Sequence, residues 1–268
     1  MQPHFRPVFR KQLTGSATAA DDCGPVAARH ALARWSLGAQ DLSISKIRVM
    51  MKLPKGQTMI GDQADVFSKL GVNVAIFDRF DKFSVADLRA HLAKGGFAVC
   101  LGDYDEVPGH LKGDLQFNQN HFVMLNELNP AVPGGAAEGV LVYDSLDDGR
   151  IDRPSKTRRA PKGPIVWPFA VLEKYLKNLS DRFDNDVTVA IFPRRRLKRR
   201  DPGAVNIRPT PSKARQPIGK WLSGELEHAG TVLGDPHNGD RRWFRVWWPE
   251  DAVVAFVHAS VVLEVAAT

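Results

Sequence analysis

The sequence contains little cysteine and no long apolar segment. It has two cysteines among 268 residues, which is too few for the disulfide framework of small secreted domains. No uninterrupted apolar run approaches the roughly 18 residues that a membrane-spanning helix needs, so we expect no membrane insertion. The N-terminal residues lack the apolar core of an export signal, and we therefore expect no signal peptide.

The chain also lacks a motif that reads nucleotide bases, although its formal net charge is +7. Net charge affects association rather than fold, and basic residues alone are weak evidence for nucleic-acid binding. We therefore expect no nucleic-acid partner, and we expect no cofactor or metal. With 43% apolar residues, the chain can fill one medium-sized domain and one small domain.

The most informative segment surrounds Cys23, which precedes a predicted helix over residues 26–35. Pro25 suits the first helical turn, because its missing N–H would have no partner there. A thiol at the N-terminus of a helix faces the positive end of the helix dipole and unpaired N–H groups, which favour the thiolate. Gly24 allows a sharp turn and leaves the sulfur uncovered. A buried structural cysteine is the alternative interpretation.

Two apolar segments downstream each carry a polar residue at one end. Residues 120–125 are predicted to form a strand that opens with His121, and residues 140–144 a strand that ends at Asp144. The glycine- and proline-rich loop between them is typical of adjacent antiparallel strands. Pairing would bring the imidazole and the carboxylate to one end of a sheet, where Cys23 would complete a nucleophile, a base and an orienting acid.

Other interpretations of these residues stay open at this point. Taken alone, His121 is also compatible with a satisfied histidine at a strand edge, and Asp144 with a turn residue that ends a strand. Asp147 and Asp148 are further candidates for the acid. Cys100 lies in an apolar segment and is expected to be a packing residue.

The rest of the first 193 residues predicts a compact mixture of helices and strands. A polar loop over residues 102–119 is long enough to be a lid, and we expect it to cover the cleft beside His121. Helices are expected over residues 44–52, 61–70, 84–94 and 167–179, and strands over residues 72–77, 97–101 and 186–192.

Three short motifs resemble those of papain-like cysteine peptidases of the kind that process bacteriocin leaders. They are, in chain order, Cys23-Gly24-Pro25, His121-Phe122-Val123 and Tyr143-Asp144. The resemblance spans about residues 5 to 193 and implies an α+β papain-like cysteine peptidase domain over residues 1–193. In such a domain Cys23 is the nucleophile, His121 the general base and acid, and Asp144 the residue that orients the imidazole.

One position departs from the family pattern, which places a glutamine about six residues before the cysteine. Ala17 occupies that position, and the nearest upstream glutamine is Gln12. Either residues 14–18 are an insertion and Gln12 donates to the oxyanion beside the Cys23 backbone N–H, or the oxyanion hole is incomplete. Loss of one oxyanion donor costs about a hundred- to a thousandfold in rate.

The composition changes abruptly after residue 193. Residues 194–200 carry six positive charges in seven positions, and a turn over residues 201–203 follows. We expect residues 194–203 to form a solvated linker, and a strip that binds anionic polymers is the alternative.

Residues 204–268 contain short alternating apolar segments separated by turn residues, which predicts a small barrel of about five strands. Trp221 and Trp243 are expected in its core, whereas Trp247 and Trp248 adjoin a turn and are predicted to form an exposed wall-binding face. Four motifs in this region resemble those of bacterial SH3 domains, which implies an all-β SH3-like domain that binds peptidoglycan. They are Asn206-Ile207-Arg208, Gly219-Lys220-Trp221, Trp243-Phe244-Arg245-Val246 and Phe256-Val257-His258-Ala259-Ser260.

Together these features predict a cysteine peptidase that hydrolyses a peptide or amide bond of bacterial peptidoglycan. We expect a phage origin, as a tail or lysis protein, with a location in the virion or in the host cell wall after release and with other tail proteins as further partners. One alternative is a virion structural or adsorption protein that keeps the peptidase fold with little or no turnover, as the displaced glutamine suggests. Another is a leader-processing protease whose barrel docks protein substrates.

Overall fold

The structure is a computed structural model, and it divides into two compact units. The larger unit comprises residues 8–32 and 41–192, and the smaller unit residues 1–7, 33–40 and 193–268. The residues that the structure describes are 6–7, 12, 21–40, 42–77, 84–114, 117, 119–129, 138–146, 164–183, 188–191, 196–237, 239–251 and 253–265.

The larger unit is an α+β arrangement, as the sequence predicts. Its helices are α1 (Cys23–Trp35), whose last residues belong to the smaller unit, α2 (Ile44–Met51), α3 (Ile60–Lys69), α4 (Val85–Ala93) and α5 (Phe169–Phe183). Its strands are β1 (Val74–Phe77), β2 (Phe97–Asp103), β3 (Asn120–Asn129), β4 (Gly139–Asp144), β5 (Ile165–Pro168) and β6 (Thr188–Ile191). Within the described ranges no helix is long and apolar enough to cross a membrane.

Local sequence signals determine where α4 begins. The hydroxyl of Ser84 accepts a hydrogen bond from the backbone N–H of Asp87 at 3.2 Å, and the Asp87 carboxylate accepts one from the Ser84 N–H at 3.0 Å. This reciprocal capping box satisfies two N–H groups that would otherwise have no partner. The start of this helix is therefore predictable from two residues.

The six strands of the larger unit form one sheet in the order β1-β6-β2-β3-β4-β5. Every neighbouring pair is antiparallel. All seven residues of β2 are buried, and α5 contacts this strand. A strand buried along its whole length has an uninterrupted apolar sequence, which explains why residues 97–101 are recognisable in the sequence.

The predicted helix over residues 167–179 begins later than expected, because Trp167 belongs to β5. Trp167 pairs with Val140 of β4 and is fully buried. Its indole N–H donates to the main-chain oxygen of Leu111 at 3.3 Å. Pro168 ends the strand and α5 starts at the next residue, so pairing and burial decide the boundary that the proline alone suggested.

The smaller unit consists mainly of strands. They are β7 (Arg196–Arg199), β8 (Val205–Ile207), β9 (Gly219–Trp221), β10 (Leu226–His237), β11 (Asp240–Trp248), β12 (Val253–His258) and β13 (Val262–Val265). A five-stranded sheet has the order β12-β11-β10-β7-β13, and β8 pairs with β9. Residues 196–199 of the predicted linker thus form a strand between two others, because the buried side chain of Leu197 lies in the core.

The core of the smaller unit corrects one of the two predicted surface tryptophans. Trp248 is 3% exposed and packs in the core cluster with Val246 and Trp221. Residues two apart on a strand share a face, so Trp248 points inward with Val246, whereas Trp247 lies on the other face and is half-buried. The nearby turn suggested that Trp248 is exposed, and this prediction is wrong. Trp221 and Trp243 are buried as predicted.

Candidate active site

The register of β3 and β4 brings His121 and Asp144 to the same edge of the sheet. Val123 lies opposite Asp144 in this antiparallel pair, so the start of β3 lies beside the end of β4. His121 is two residues before Val123 and therefore shares a face with Asp144, diagonally across the strands. The distance from His121 Nε2 to Asp144 Oδ1 is 2.8 Å. These two predicted residues are therefore in direct contact.

The carboxylate of Asp144 is buried and surrounded by donors. Its Oδ1 atom accepts from the Leu146 N–H at 2.9 Å, and its Oδ2 atom accepts from the Gly113 N–H at 3.1 Å and from the Tyr104 hydroxyl. Burial raises the pKa of Asp144, but the charge and hydrogen bond of His121, together with the hydrogen bonds of Tyr104 and Leu146, hold this pKa below its usual range. Asp144 is thus held as an anion.

Aromatic residues hold the imidazole and its main chain in place. The ring of His121 has edge-on contacts with Tyr104 and Phe117, at centroid distances of 5.0 and 5.6 Å. The hydroxyl of Tyr175 donates to the main-chain oxygen of His121 and lies 3.3 Å from the main-chain oxygen of Cys100. His121 is fully buried. Its ring position is therefore determined by packing as well as by Asp144.

The two nitrogens of the imidazole have different surroundings. Nε2 faces Asp144, whereas Nδ1 is buried without a fully formed hydrogen bond among the described residues. Burial lowers the pKa of His121, but Asp144 and then Cys23, each through charge and a hydrogen-bonding interaction, raise it to about 9. Since these interactions need proximity, the Cys23 side chain lies near the imidazole of His121.

Cys23 is the first residue of α1 and is partly exposed. The helix has 13 residues and no acidic residue in its first turn. The N–H groups at the start of a helix have no partner within the helix and carry partial positive charge. The sulfur therefore lies at the positive end of the helix dipole.

A buried ion pair anchors the turn before Cys23. The Nε atom of Arg48 donates to Asp22 Oδ1 at 2.7 Å, and the two side chains are 3% and 2% exposed. A second guanidinium nitrogen donates to the main-chain oxygen of Asp21 at 2.9 Å. Breaking a buried pair by removing one partner is strongly destabilising, so Arg48 holds the backbone that presents the thiol.

Gly24 has no room for a side chain. A Cβ atom at this position would lie 1.9 Å from Thr58 Oγ1 and 2.6 Å from Gln63 Nε2. This close approach allows α3 and the segment before it to reach the start of α1. Gly24 is the second residue of α1 and does not adopt a positive φ, so packing against Thr58 requires this glycine and the predicted sharp turn does not occur here.

A cavity of about 380 Å³ opens beside Cys23. The polar loop predicted to cover the cleft does contribute Phe117 and Gln119 to its lining. Its described lining residues are Asp21, Cys23, Gln57, Thr58, Met59, Leu101, Phe117, Gln119, Asn120 and Phe122. The nucleophile candidate is therefore accessible to a substrate segment, while the His121–Asp144 pair is shielded from water.

Gln12 contacts Ser145, the residue after Asp144, and its role as an oxyanion donor stays a prediction. Its backbone N–H donates to the Ser145 oxygen at 2.9 Å, and its Oε1 atom accepts from the Ser145 hydroxyl at 3.3 Å. Gln12 is 1% exposed. The alternative acids Asp147 and Asp148 lie outside the described residues.

Cys100 differs from Cys23 in its burial. It is fully buried in β2, and burial raises the pKa of its thiol to about 12, although a 3.5 Å contact with the Thr188 hydroxyl acts in the opposite direction. Cys100 is a packing residue, as predicted. In the part of the chain that the structure describes, no cluster of three or more His, Cys, Asp or Glu residues could hold a metal ion.

Sequence reasoning missed several residues that build this site. Arg48 shares a helix face with Ile44, Ile47 and Met51, and a charged residue within an apolar stripe is a signal for a buried ion pair. Tyr104 lies in a polar loop, and its aromatic ring is the only sequence feature that indicates a role in packing. Its contact with Asp144 depends on the path of the loop and has no signature in the sequence.

Comparison with known proteins gives little further information. No protein-family model matches the sequence, and no curated protein matches it at a significant level. The peptidase domain of Streptococcus ComA, a bifunctional ABC transporter involved in a quorum-sensing pathway, is 14% identical with a TM-score of 0.36, covering 70% of this chain and 97% of that chain. A C39-like peptidase from Bacillus anthracis is 12% identical with a TM-score of 0.43, covering 70% and 94%. Similarities at this level assign neither a family nor an activity to the chain.

Proposed function

We propose that the chain is a papain-like cysteine peptidase in which Cys23 is the nucleophile, His121 the general base and acid, and Asp144 the orienting acid. The observation that supports this proposal is the pair of nitrogens on one imidazole. Nε2 faces a buried carboxylate at 2.8 Å, and the pKa of the same ring responds to the Cys23 thiol. A base held by an acid on one side and open to a nucleophile on the other is the arrangement that acyl transfer requires.

The reaction follows from this arrangement. Nδ1 of His121 takes the thiol proton, and the Cys23 sulfur attacks the carbonyl carbon of the scissile bond. The imidazolium then returns the proton to the leaving nitrogen as the C–N bond breaks, which leaves an acyl group on the sulfur. A water molecule, deprotonated by the same imidazole, hydrolyses this thioester and regenerates the thiol.

Asp144 acts on this cycle through His121. Its Oδ1 atom accepts the Nε2–H, which leaves Nδ1 as the basic nitrogen and stabilises the imidazolium when it forms. The donors on both carboxylate oxygens keep Asp144 ionised while it does so. The acid therefore orients the imidazole and does not need to exchange protons itself.

The oxyanion of the tetrahedral intermediate needs preorganised donors. The backbone N–H of Cys23 is a candidate, because it has no partner within α1. Gln12 is proposed as the second donor on the basis of its family counterpart, and its position at Ser145 places it next to the acid. A glutamine that fails in this role would leave the enzyme with a weakened oxyanion hole.

We further propose that the substrate is bacterial peptidoglycan and that the smaller unit is an SH3-like module that holds the enzyme on the wall. The four motifs between Asn206 and Ser260 support this proposal, as does the net charge of +7, which favours association with anionic wall polymers. An origin in a phage tail or lysis system is part of the same proposal, and it derives from the sequence.

The two cysteines provide a matched test of the enzyme proposal. Cys23→Ala removes the nucleophile and should abolish hydrolysis of purified cell walls in a zymogram, whereas Cys100→Ala should keep it, because Cys100 lies in the core of the sheet. Circular dichroism and sedimentation with purified walls verify that Cys23→Ala still folds and binds.

The hydrolysis assays distinguish the peptidase proposal from its alternatives. Full hydrolysis by Cys23→Ala would remove the peptidase proposal and favour a non-catalytic adsorption role. Cleavage of a protein panel without cleavage of walls, dependent on Cys23, would retain the peptidase chemistry and replace the wall substrate by leader-type protein substrates.

A further inference from the structure

The cavity beside Cys23 contains one charged residue among its described lining residues, Asp21. The main-chain oxygen of Asp21 accepts a hydrogen bond from Arg48, but its carboxylate has no ion pair or hydrogen bond to any described residue. The next residue is different, since the Asp22 carboxylate is paired with Arg48 at 2.7 Å. Asp22 therefore has a structural role, whereas the carboxylate of Asp21 is available to a ligand.

The Asp21 carboxylate lines the same cavity as the nucleophile. A substrate that brings a positive charge to this cavity gains an ion pair with Asp21, which a neutral or acidic substrate lacks. The carboxylate would then favour the reaction of one class of substrate over others.

The remaining lining shows which kind of cation fits. Leu101 and Phe122 are buried and form an apolar surface together with Phe117 and the half-exposed Met59. The other lining side chains are neutral amides, a hydroxyl and the thiol. A lysine-type side chain matches this pattern, because its aliphatic stem packs on apolar surface while its ammonium group reaches a carboxylate.

We propose that Asp21 binds a lysine-type side chain of the substrate beside the bond that Cys23 attacks. The inference rests on the proposed peptidase function and narrows its substrate class. It assigns substrate selection to Asp21, which takes no part in the proton transfers of Cys23 and His121. A neutral residue of the same length should fit the apolar surface but lack the ion pair, and an acidic residue should be repelled.

The test uses peptides with an acyloxymethyl ketone, which alkylates a thiolate with loss of a carboxylate. The peptides differ only in lysine, norleucine or glutamate, placed at the first or the second residue before the ketone. The second-order rate of Cys23 alkylation is measured by intact-protein mass spectrometry. At one of the two positions we expect the lysine peptide to react about fivefold faster than the norleucine peptide, which is the rate ratio that corresponds to the free energy of a partly exposed ion pair. The glutamate peptide should react slowest.

Two charge-matched variants isolate the contribution of Asp21. Asp21→Asn should lose the preference for lysine and keep the norleucine rate within about twofold. Asp65→Asn changes the net charge equally at an exposed position of α3 that does not line the cavity, and it should keep the preference. Added salt should reduce the lysine rate more than the norleucine rate.

The results separate the substrate inference from the function on which it rests. Equal rates for lysine and norleucine, or a lysine preference that survives in Asp21→Asn, would overturn the inference while Cys23 still reacts as a peptidase nucleophile. If no peptide reacts faster than an acyloxymethyl ketone without a peptide, and if His121→Asn reacts as fast as the wild type, both the inference and the peptidase proposal fail.

Discussion

Each unit of the molecule contains a buried histidine, and the two differ in what surrounds the ring. In the larger unit, His121 faces a carboxylate with Nε2, and its Nδ1 atom has no fully formed hydrogen bond to a described residue. In the smaller unit, His258 Nδ1 lies 2.8 Å from the Ser260 hydroxyl, and Nε2 lies 2.9 Å from the main-chain oxygen of Asp240. His258 is saturated by neutral groups.

This difference shows how burial alone can serve either chemistry or structure. A saturated ring such as His258 can only hold its neighbours together. A ring that is fixed by an acid on one side and open on the other can accept a proton and release it again. The buried neighbours of His121 include Asp144 and Tyr104, whereas the core cluster of the smaller unit is apolar and contains tryptophan.

The largest expected effect is the difference in activity between the replacement of His121 and the replacement of His258. His121→Asn cannot take the thiol proton and should reduce wall hydrolysis by at least about a thousandfold. His258→Asn should leave the rate per folded molecule unchanged while lowering the free energy of unfolding by about 1–2 kcal/mol through lost hydrogen bonds. Initial rates and urea titrations of both variants measure the two effects, and an equal loss of activity in both would contradict the comparison.

The tryptophans of β11 test the apolar interior of the smaller unit. Trp248→Ala removes a side chain that is 3% exposed and should lower the free energy of unfolding by about 3–5 kcal/mol. Trp247→Ala should cost clearly less stability, and it is the variant expected to weaken sedimentation with purified walls. Chemical denaturation and wall-binding assays distinguish these effects. A larger stability loss for Trp247→Ala would reverse the assignment of core and surface.

The pH dependence of stability should be different with and without His121. Its pKa is raised in the folded protein to about 9 from a usual 6.5, so the folded state binds this proton more tightly than the unfolded state does. The resulting stability is fully present below about pH 6.5 and is lost as the pH rises through about 9. Urea unfolding at pH 6 and pH 10 should show a steeper decline for the wild type than for His121→Asn. Identical declines would contradict the shift.

The smallest expected effect is the difference in activity between replacements of two buried tyrosines, Tyr104 and Tyr175. Tyr104→Phe removes the hydroxyl that donates to the Asp144 carboxylate, which should lower kcat about tenfold and shift the pH–rate profile, because the acid loses a charge-assisted hydrogen bond. Tyr175→Phe removes a hydroxyl that bonds the main-chain oxygens of Cys100 and His121, and it should reduce stability without shifting that profile. Matching profiles for the two variants would show that Tyr104 is merely structural.

Much of the site was predictable because the signals are local. The strand predicted over residues 120–125 and the strand predicted over residues 140–144 are both present, and their antiparallel pairing was indicated by the loop between them. Cys23 was recognisable from the glycine and proline that follow it. These features depend on neighbouring residues along the chain, and such residues determine their own conformation to a large extent.

Other features were not predictable because they depend on contacts between distant segments. Two donors to Asp144, the Tyr104 hydroxyl and the Gly113 N–H, come from a loop 40 and 31 residues away along the chain, and Arg48 reaches Asp22 across 26 residues. Trp248 was misassigned because a turn nearby suggests exposure, whereas the face of the strand decides it. Similarly, residues 196–199 of the basic segment form a strand of a sheet, because Leu197 is buried.

By itself the sequence determined the type and position of most strands and helices and supplied the cysteine, the histidine and the aspartate. Periodicity, capping and turn residues act over a few positions, so they can be recognised in one dimension. Only the tertiary structure decided which nitrogen of His121 faces the acid, which tryptophan is buried and which of two adjacent aspartates pairs with Arg48. Those outcomes depend on desolvation and on packing between segments that meet only when the chain is folded.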